Sequence, residues 1–179
     1  MEGGGGNWLA FGSLTQLLIL TGARRGEIGG LRWPEMVDGE ISLAGERTKN
    51  GEPHKVPLSL PALAIIESLP RVAGTDLLFS TNGKTKVSGW SKAKRQLDDA
   101  LIEAKQELPS WTVHDLRRTV ATGLQKLGVN LQVIEAVLGH VSGSRSGVVG
   151  TYQRHSFDKE KAAALEAWGA HVSRLVEER

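Results

Sequence analysis

Cysteine is absent from the 179 residues, which excludes a disulfide framework, a thiolate metal site and a cysteine nucleophile. Long apolar runs are absent too. The longest, "LTQLLILTG" ending at Gly22, falls far short of the roughly 20 residues of a membrane span, and no signal peptide precedes it. No charge of one sign dominates: 22 Lys and Arg stand against 20 Asp and Glu, a formal +2. That balance permits a polyanionic partner without demanding one, so any nucleic-acid argument rests on where the arginines sit. Tyrosine occurs once, at Tyr152. No internal repeat and no internal low-complexity linker is present.

What is there belongs to a globular protein: 40% of residues are hydrophobic and 23% charged. The length suits one domain, or one plus a small appendage, able to bury about two thirds or more of its unfolded surface. "MEGGGG" reads as a flexible leader, in part a cloning remnant, leaving 7–179 as the domain. A helical pattern runs from Asn7, a cap, through Leu14, Leu17 and Leu18 to Gly22. "ARRGEIGGLRW" reads as a short helical turn. "EISLAG" and "HKVPLS" are alternating strands around "ERTKNGEP", where Asn50-Gly51 signals a hairpin with Lys49 at or just before its tip. "DLLF" reads as a third strand or an extended segment.

Pro61 opens a helix at its favoured first position, running to about Leu69. "SGWSKAKRQLDDALIEAKQEL" is amphipathic, with Trp90, Leu97 and Leu101 on one side. Thr112 and Asp115 form a capping box opening a helix to Leu127. Asn130 caps the next, with Leu131, Ile134, Val137 and Leu138 apolar and Gly139 as its end. "SRSGVVGTYQRHS" reads as loosely helical. The last helix, Asp158 to Val176, spaces Leu165, Trp168, Val172 and Leu175 on one face. The fold class is therefore α+β, mostly α-helical, with a small antiparallel sheet.

Four stretches carry chemistry. In "HDLRRT", His114 and Arg117 lie three residues apart on one helix face, so an imidazole sits a turn from a guanidinium that grips two oxygens of a phosphate or carboxylate in a fork. Arg118 points elsewhere, as a surface charge. In "TGARRGEIGG", Arg24 emerges between a helix stop and a new turn, with Glu27 placed to hold it. Lys49 at the hairpin can reach into a site as a point charge or proton donor. His140 follows a helix end, and Tyr152 comes twelve residues later. Each stretch has a plainer reading: a solvated basic face, a surface ion pair, a solvent-exposed turn lysine and a core tyrosine.

Taken in order, Arg24, Lys49, His114-x-x-Arg117, His140 and Tyr152 resemble the catalytic domain of the tyrosine recombinases, the phage integrase family. "TGARRGEIGGLRW", "RTKNGEPHKVPLS", "HDLRRT", "LGH" and "TYQRH" look like that family's boxes in the right order, most like integrases of prophages and genomic islands. The resemblance covers Trp8 to the C-terminus. The stretch from His140 to Tyr152 is a few residues longer than in many members, through "VSGSRSGVVG".

The resemblance implies a tyrosine-recombinase catalytic-domain architecture and transesterification of DNA. Tyr152 is the nucleophile that forms a 3′-phosphotyrosine, Arg24 and Arg117 stabilise the phosphorane, Lys49 protonates the leaving 5′-oxygen, and His114 and His140 position the phosphate or move the Tyr152 proton. Neither metal, ATP nor cofactor is implied. The implied partner is double-stranded DNA at attachment sites, with a homotetramer on DNA and a monomer when isolated, in the bacterial cytoplasm on nucleoid DNA. A separate DNA-binding domain normally precedes such a domain, and none of that size precedes Trp8. A type IB topoisomerase, a catalytically silent DNA-binding module and a metal nuclease built on His114-Asp115 are the competing readings. The final helix packs on its own domain or docks on a neighbour.

Overall fold

In a computed structural model of the chain, residues 5–80, 82–140 and 156–178 are described. Tyr152 and the segment read as loosely helical lie largely outside those residues. The order is α1 (Gly5–Thr21), α2 (Arg25–Gly29), β1 (Met36–Val37), β2 (Glu40–Leu43), β3 (His54–Pro57), α3 (Leu60–Glu67), α4 (Trp90–Glu103), α5 (Val113–Lys126), α6 (Leu131–Leu138) and α7 (Asp158–Glu177). The fold is mostly helical with one small antiparallel sheet, as the patterning requires. Among the described residues no helix is long and apolar enough to cross a membrane.

Leu14, Leu17 and Leu18 are buried along α1, and the helix packs against α3, α5 and α7. It begins at Gly5, so Asn7 lies inside it and is not its cap. α3 likewise begins one residue before Pro61, with Ser59 as N-cap. α4 is the least integrated helix: none of its residues is fully buried, and Trp90 contributes an edge-on contact with Phe11 at 5.9 Å. In α6 the inward set is Val133, Ile134, Val137 and Leu138, whereas Leu131 is 68% exposed because the first turn projects past the core.

β2 pairs antiparallel with β3, Ile41 opposite Val56, and residues 44–53 connect them. The hairpin is thus present, but a long connection joins its strands, with a turn at Lys49-Asn50 and Gly51 at φ 77°, instead of a two-residue Asn50-Gly51 turn. The two-residue turn of the sheet joins the other strand pair. β1 pairs with β2 across Asp38-Gly39, both with positive φ (49° and 78°), as a two-residue type I′ turn requires. The third strand is therefore Met36–Val37, while "DLLF" forms only a bridge, with Leu78 N–H donating to the Leu31 carbonyl at 2.9 Å. The sheet order is β1-β2-β3.

α7 packs in cis. It lies against α6, β3, α3, α1 and α5, with Leu165 and Trp168 buried and Val172 half-buried. Its last turn leaves Leu175 and Val176 exposed.

Candidate active site

The site is assembled where three chain segments meet the C-terminal end of α6. The last carbonyls of a helix have no intrahelical partners and carry the negative end of its dipole, so they attract donors and cations. Here the Val137 carbonyl accepts from His54 Nε2 at 3.1 Å, and the Leu138 carbonyl accepts a short bond from Arg117 Nη2. The Gly139 carbonyl accepts from Arg24 Nη2 at 3.1 Å and from Asn50 Nδ2 at 3.4 Å.

Gly139 permits this arrangement. It adopts φ 59°, and its N–H bonds to the Ala136 carbonyl while His140 N–H bonds to that of Glu135, a Schellman ending. A Cβ at 139 would lie 3.1 Å from the His54 ring, so a side chain here would crowd the imidazole.

Arg24 is held by one carboxylate at both ends. Its backbone N–H donates to Glu27 Oε2 at 2.8 Å, and its Nη1 to Glu27 Oε1 at 2.8 Å. Glu27 is buried and the Arg24 side chain is 22% exposed, so this is not the solvated pair of the plainer reading. Its guanidinium is left facing the α6 end with a fixed direction.

Arg117 sits in α5, whose start is set by the Thr112–Asp115 box: Asp115 Oδ2 accepts from Thr112 N–H at 2.8 Å and from its hydroxyl at 2.7 Å. Arg118 pairs with Asp115 at the surface (2.8 Å), as expected of a structural charge. The second turn of α5 then points Arg117 inward, where it is only 5% exposed and its Nη1 donates to the Gly22 carbonyl at 2.6 Å. Burial, and secondarily the Arg24 charge, push its pKa down to about 10, with Glu27 opposing. It stays cationic at neutral pH.

His140 is exposed at the mouth of this cluster. Partial desolvation of its ring holds its pKa below the ordinary value, and Arg117, Arg24 and His114 push the same way against Glu135. His114 projects from the first turn of α5 and is exposed. Arg24, Arg117 and His140 are thus brought together, with His114 beside them. Lys49 is exposed in the 44–53 connection, next in the chain to Asn50, whose side chain bonds the Gly139 carbonyl. Tyr152 lies outside the described residues.

A guanidinium has five N–H donors. The contacts above occupy two on each arginine, leaving the others for an anion held from two sides. Asp115 is engaged with Thr112 and Arg118, which removes it from a metal-nuclease role. The sequence pattern does not single out His54 or Asn50 as site residues. Their signal was weak: a histidine opening the strand that follows the Lys49 connection.

Residues 10–159 match the family model for the phage integrase family. The chain is 29% identical over 157 residues to prophage integrase IntA of Escherichia coli K12, covering 86% of this chain and 36% of that protein. It is 34% identical over 139 residues to tyrosine recombinase XerC 2 of Ralstonia nicotianae, covering 72% of this chain and 38% of that one. The chain therefore spans well under half the length of these relatives. Two solved structures share its fold. One is the XerH site-specific recombinase bound to its difH substrate in a pre-cleavage complex (TM-score 0.56, 22% identity, 84% of this chain and 45% of that one). The other is a lambda integrase (75–356) dimer bound to a COC′ core site (TM-score 0.53, 21% identity, 78% of this chain and 52% of that one).

Proposed function

The chain belongs to the phage integrase family, and from that premise we propose that it is the catalytic domain of a site-specific DNA recombinase. The observation that carries the reading is the fixing of Arg24 and Arg117 on adjacent carbonyls, Gly139 and Leu138, with His140 next in the chain. Two preorganised cations in a partly dry site suit a phosphorane, whose non-bridging oxygens gain negative charge in the transition state.

The Tyr152 phenol attacks a DNA phosphorus. The new P–O bond forms as the bond to the 5′-oxygen breaks, and a 3′-phosphotyrosine results. A tyrosine of pKa near 10 needs its proton removed during attack. His140, whose pKa its surroundings lower, is suited to assist that transfer, with His114 steadying the phosphate. Lys49 is suited to protonate the departing 5′-oxygen. Attack by a 5′-hydroxyl of another strand returns the proton and rejoins the DNA. Bond energy is conserved in the phosphotyrosine, so neither ATP nor metal enters the balance. The partner is double-stranded DNA at attachment sites of a prophage or other mobile element, bound as a homotetramer on the bacterial nucleoid.

The test is covalent capture. The chain is incubated in EDTA with nicked duplexes tiled from the DNA flanking its own gene, and adducts are resolved on denaturing gels. An adduct that is lost in Tyr152→Phe, with DNA binding retained, supports the reading. An adduct that persists in that variant, or that requires a divalent metal, overturns it. Relaxation of supercoiled plasmid without strand exchange would assign the same site to a topoisomerase instead.

A further inference from the structure

His54 opens β3 immediately after the connection that carries Lys49. Its contact is chemically one-directional: a carbonyl oxygen only accepts, so Nε2 must carry the proton that reaches the Val137 carbonyl at 3.1 Å. The ring is half-buried and packs close to Gly139, where an added Cβ would find three of its atoms within 3.2 Å. Behind it, Lys161 Nζ of α7 donates to the Lys55 carbonyl at 3.0 Å, fixing the strand one residue further on. Four residues before it, Asn50 ties the connection to the Gly139 carbonyl. The Lys49-bearing segment is therefore pinned to the end of α6 at two points, and His54 is the shorter and more buried of them.

We propose that His54 is a positioning residue of this site, its Nε2–H registering the Lys49 connection against the end of α6 that presents His140 and accepts Arg24 and Arg117. The proposal rests on the recombinase reading for its catalytic consequence, but its structural core is independent of it. The imidazole touches no reacting atom. It sets where the Gly139–His140 turn lies relative to the connection, and a displacement of about 1 Å in such a frame costs up to roughly 100-fold in rate. Burial first, then the charge of Lys161 on α7 and, less, that of Arg117 on α5, lower the ring's pKa, against Glu27 on α2 and the Val137 carbonyl itself. A neutral donor serves the contact without adding a third cation to the cluster.

Three variants separate this role from plain packing. His54→Gln keeps a neutral N–H donor, His54→Leu fills space without one, and His54→Ala does neither. Amide hydrogen exchange at Gly139 and His140 is read first, because it needs no DNA. Both amides should lose protection in Leu and Ala and keep it in Gln. Adduct formation with the nicked duplexes should fall about 10- to 100-fold in Leu and Ala at unchanged DNA affinity, and recover in Gln. Protection equal in all three variants, or Gln behaving as Leu does, overturns the proposal. If the unmodified chain forms no adduct while the exchange pattern holds, the recombinase reading fails and the positioning contact stands. Leu replaces Ala in every comparison should Ala not fold.

Discussion

Arg24 and Arg117, 93 positions apart, donate to consecutive carbonyls at the end of α6, those of Gly139 and Leu138. The two cations are placed by the same helix terminus, so their separation is set by one peptide unit and not by the packing of distant loops. Burial lets Arg117 keep few alternatives to this geometry, and Glu27 removes those of Arg24. The same helix end delivers His140. The placing of both guanidinium groups and of His140 and the fold of α6 are thereby one structural event.

Arg117→Lys tests whether the fork matters or only the charge. A lysine ammonium cannot bond the Gly22 and Leu138 carbonyls as a rigid planar donor does. We expect urea unfolding to show a loss of about 1–3 kcal/mol, since a buried carbonyl loses its partner. Adduct formation should fall by roughly 10²–10³, the scale for losing one transition-state donor. Retention of wild-type adduct rates would mean that Arg117 serves the fold alone.

Glu27→Ala strips an acceptor from the Arg24 backbone N–H and from its guanidinium together. Removing one partner of a buried pair costs about 3–5 kcal/mol, and the partial exposure of Arg24 brings the expectation to about 2–3 kcal/mol. Glu27→Gln keeps an oxygen for the backbone N–H and should cost less. Denaturant midpoints of the two variants decide it, and equal losses would show that the charge, not the backbone contact, dominates.

Acid sensitivity should come in two windows. Burial first lowers the folded pKa of both His54 and His140 below the ordinary 6.5. Their contribution to stability is complete above about 6.5 and is lost as pH falls through the depressed folded values, because the unfolded chain binds the protons first. Asp115 is held down at about 2 by the Thr112 hydroxyl and N–H, from an ordinary 3.8, so its contribution is lost as pH falls from about 4 toward 2. Melting temperatures across pH 8 to 3 should show the first decline, and His54→Gln should shrink it. A profile flat from pH 7 to 5 would contradict the assignment.

The parts of this molecule that depend on neighbours in the chain are legible in the sequence. The Thr112–Asp115 box, the Asn130 cap and the Gly139 ending are all decided within four residues, and each is where the pattern put it. Asp38-Gly39 carried an equally local hairpin signal, but β1 beyond it is two residues long and leaves no alternation to notice. Leu131 misled because periodicity marks a face and not where along a helix the core begins. The meeting of Arg24 with Arg117 has no local cause, and only the resemblance to a family implied it. The His54–Val137 contact lay beyond both routes, since it depends on where β3 passes α6.

The last prediction concerns α7. Its apolar stripe admitted either burial within the domain or docking on a second copy, and the structure places its first three turns in the core. Trp168 is 4% exposed and donates from Nε1 to the Ile19 carbonyl at 2.7 Å, closing a polar group that α1 would otherwise leave open on that side. Glu166 Oε2 accepts from Leu60 N–H at 3.1 Å, at the start of α3, where the first-turn donors lack helical partners. Lys161 reaches the strand bearing His54 and is itself neutralised by Asp158 at 2.9 Å. Removing the residues after Phe157 would expose this face of α1, α3 and β3 together, so the product should be insoluble or melt far below the intact chain. Trp168→Ala alone should cost about 3–5 kcal/mol, the range for a large aromatic side chain removed from a core. Removing only the residues after Ser173 takes away Leu175 and Val176, which are 50% and 70% exposed, and should leave the melting temperature close to that of the intact chain. A stable, soluble product of the longer truncation would refute the structural role of α7, and a large loss from the shorter one would show that its exposed end is covered in solution.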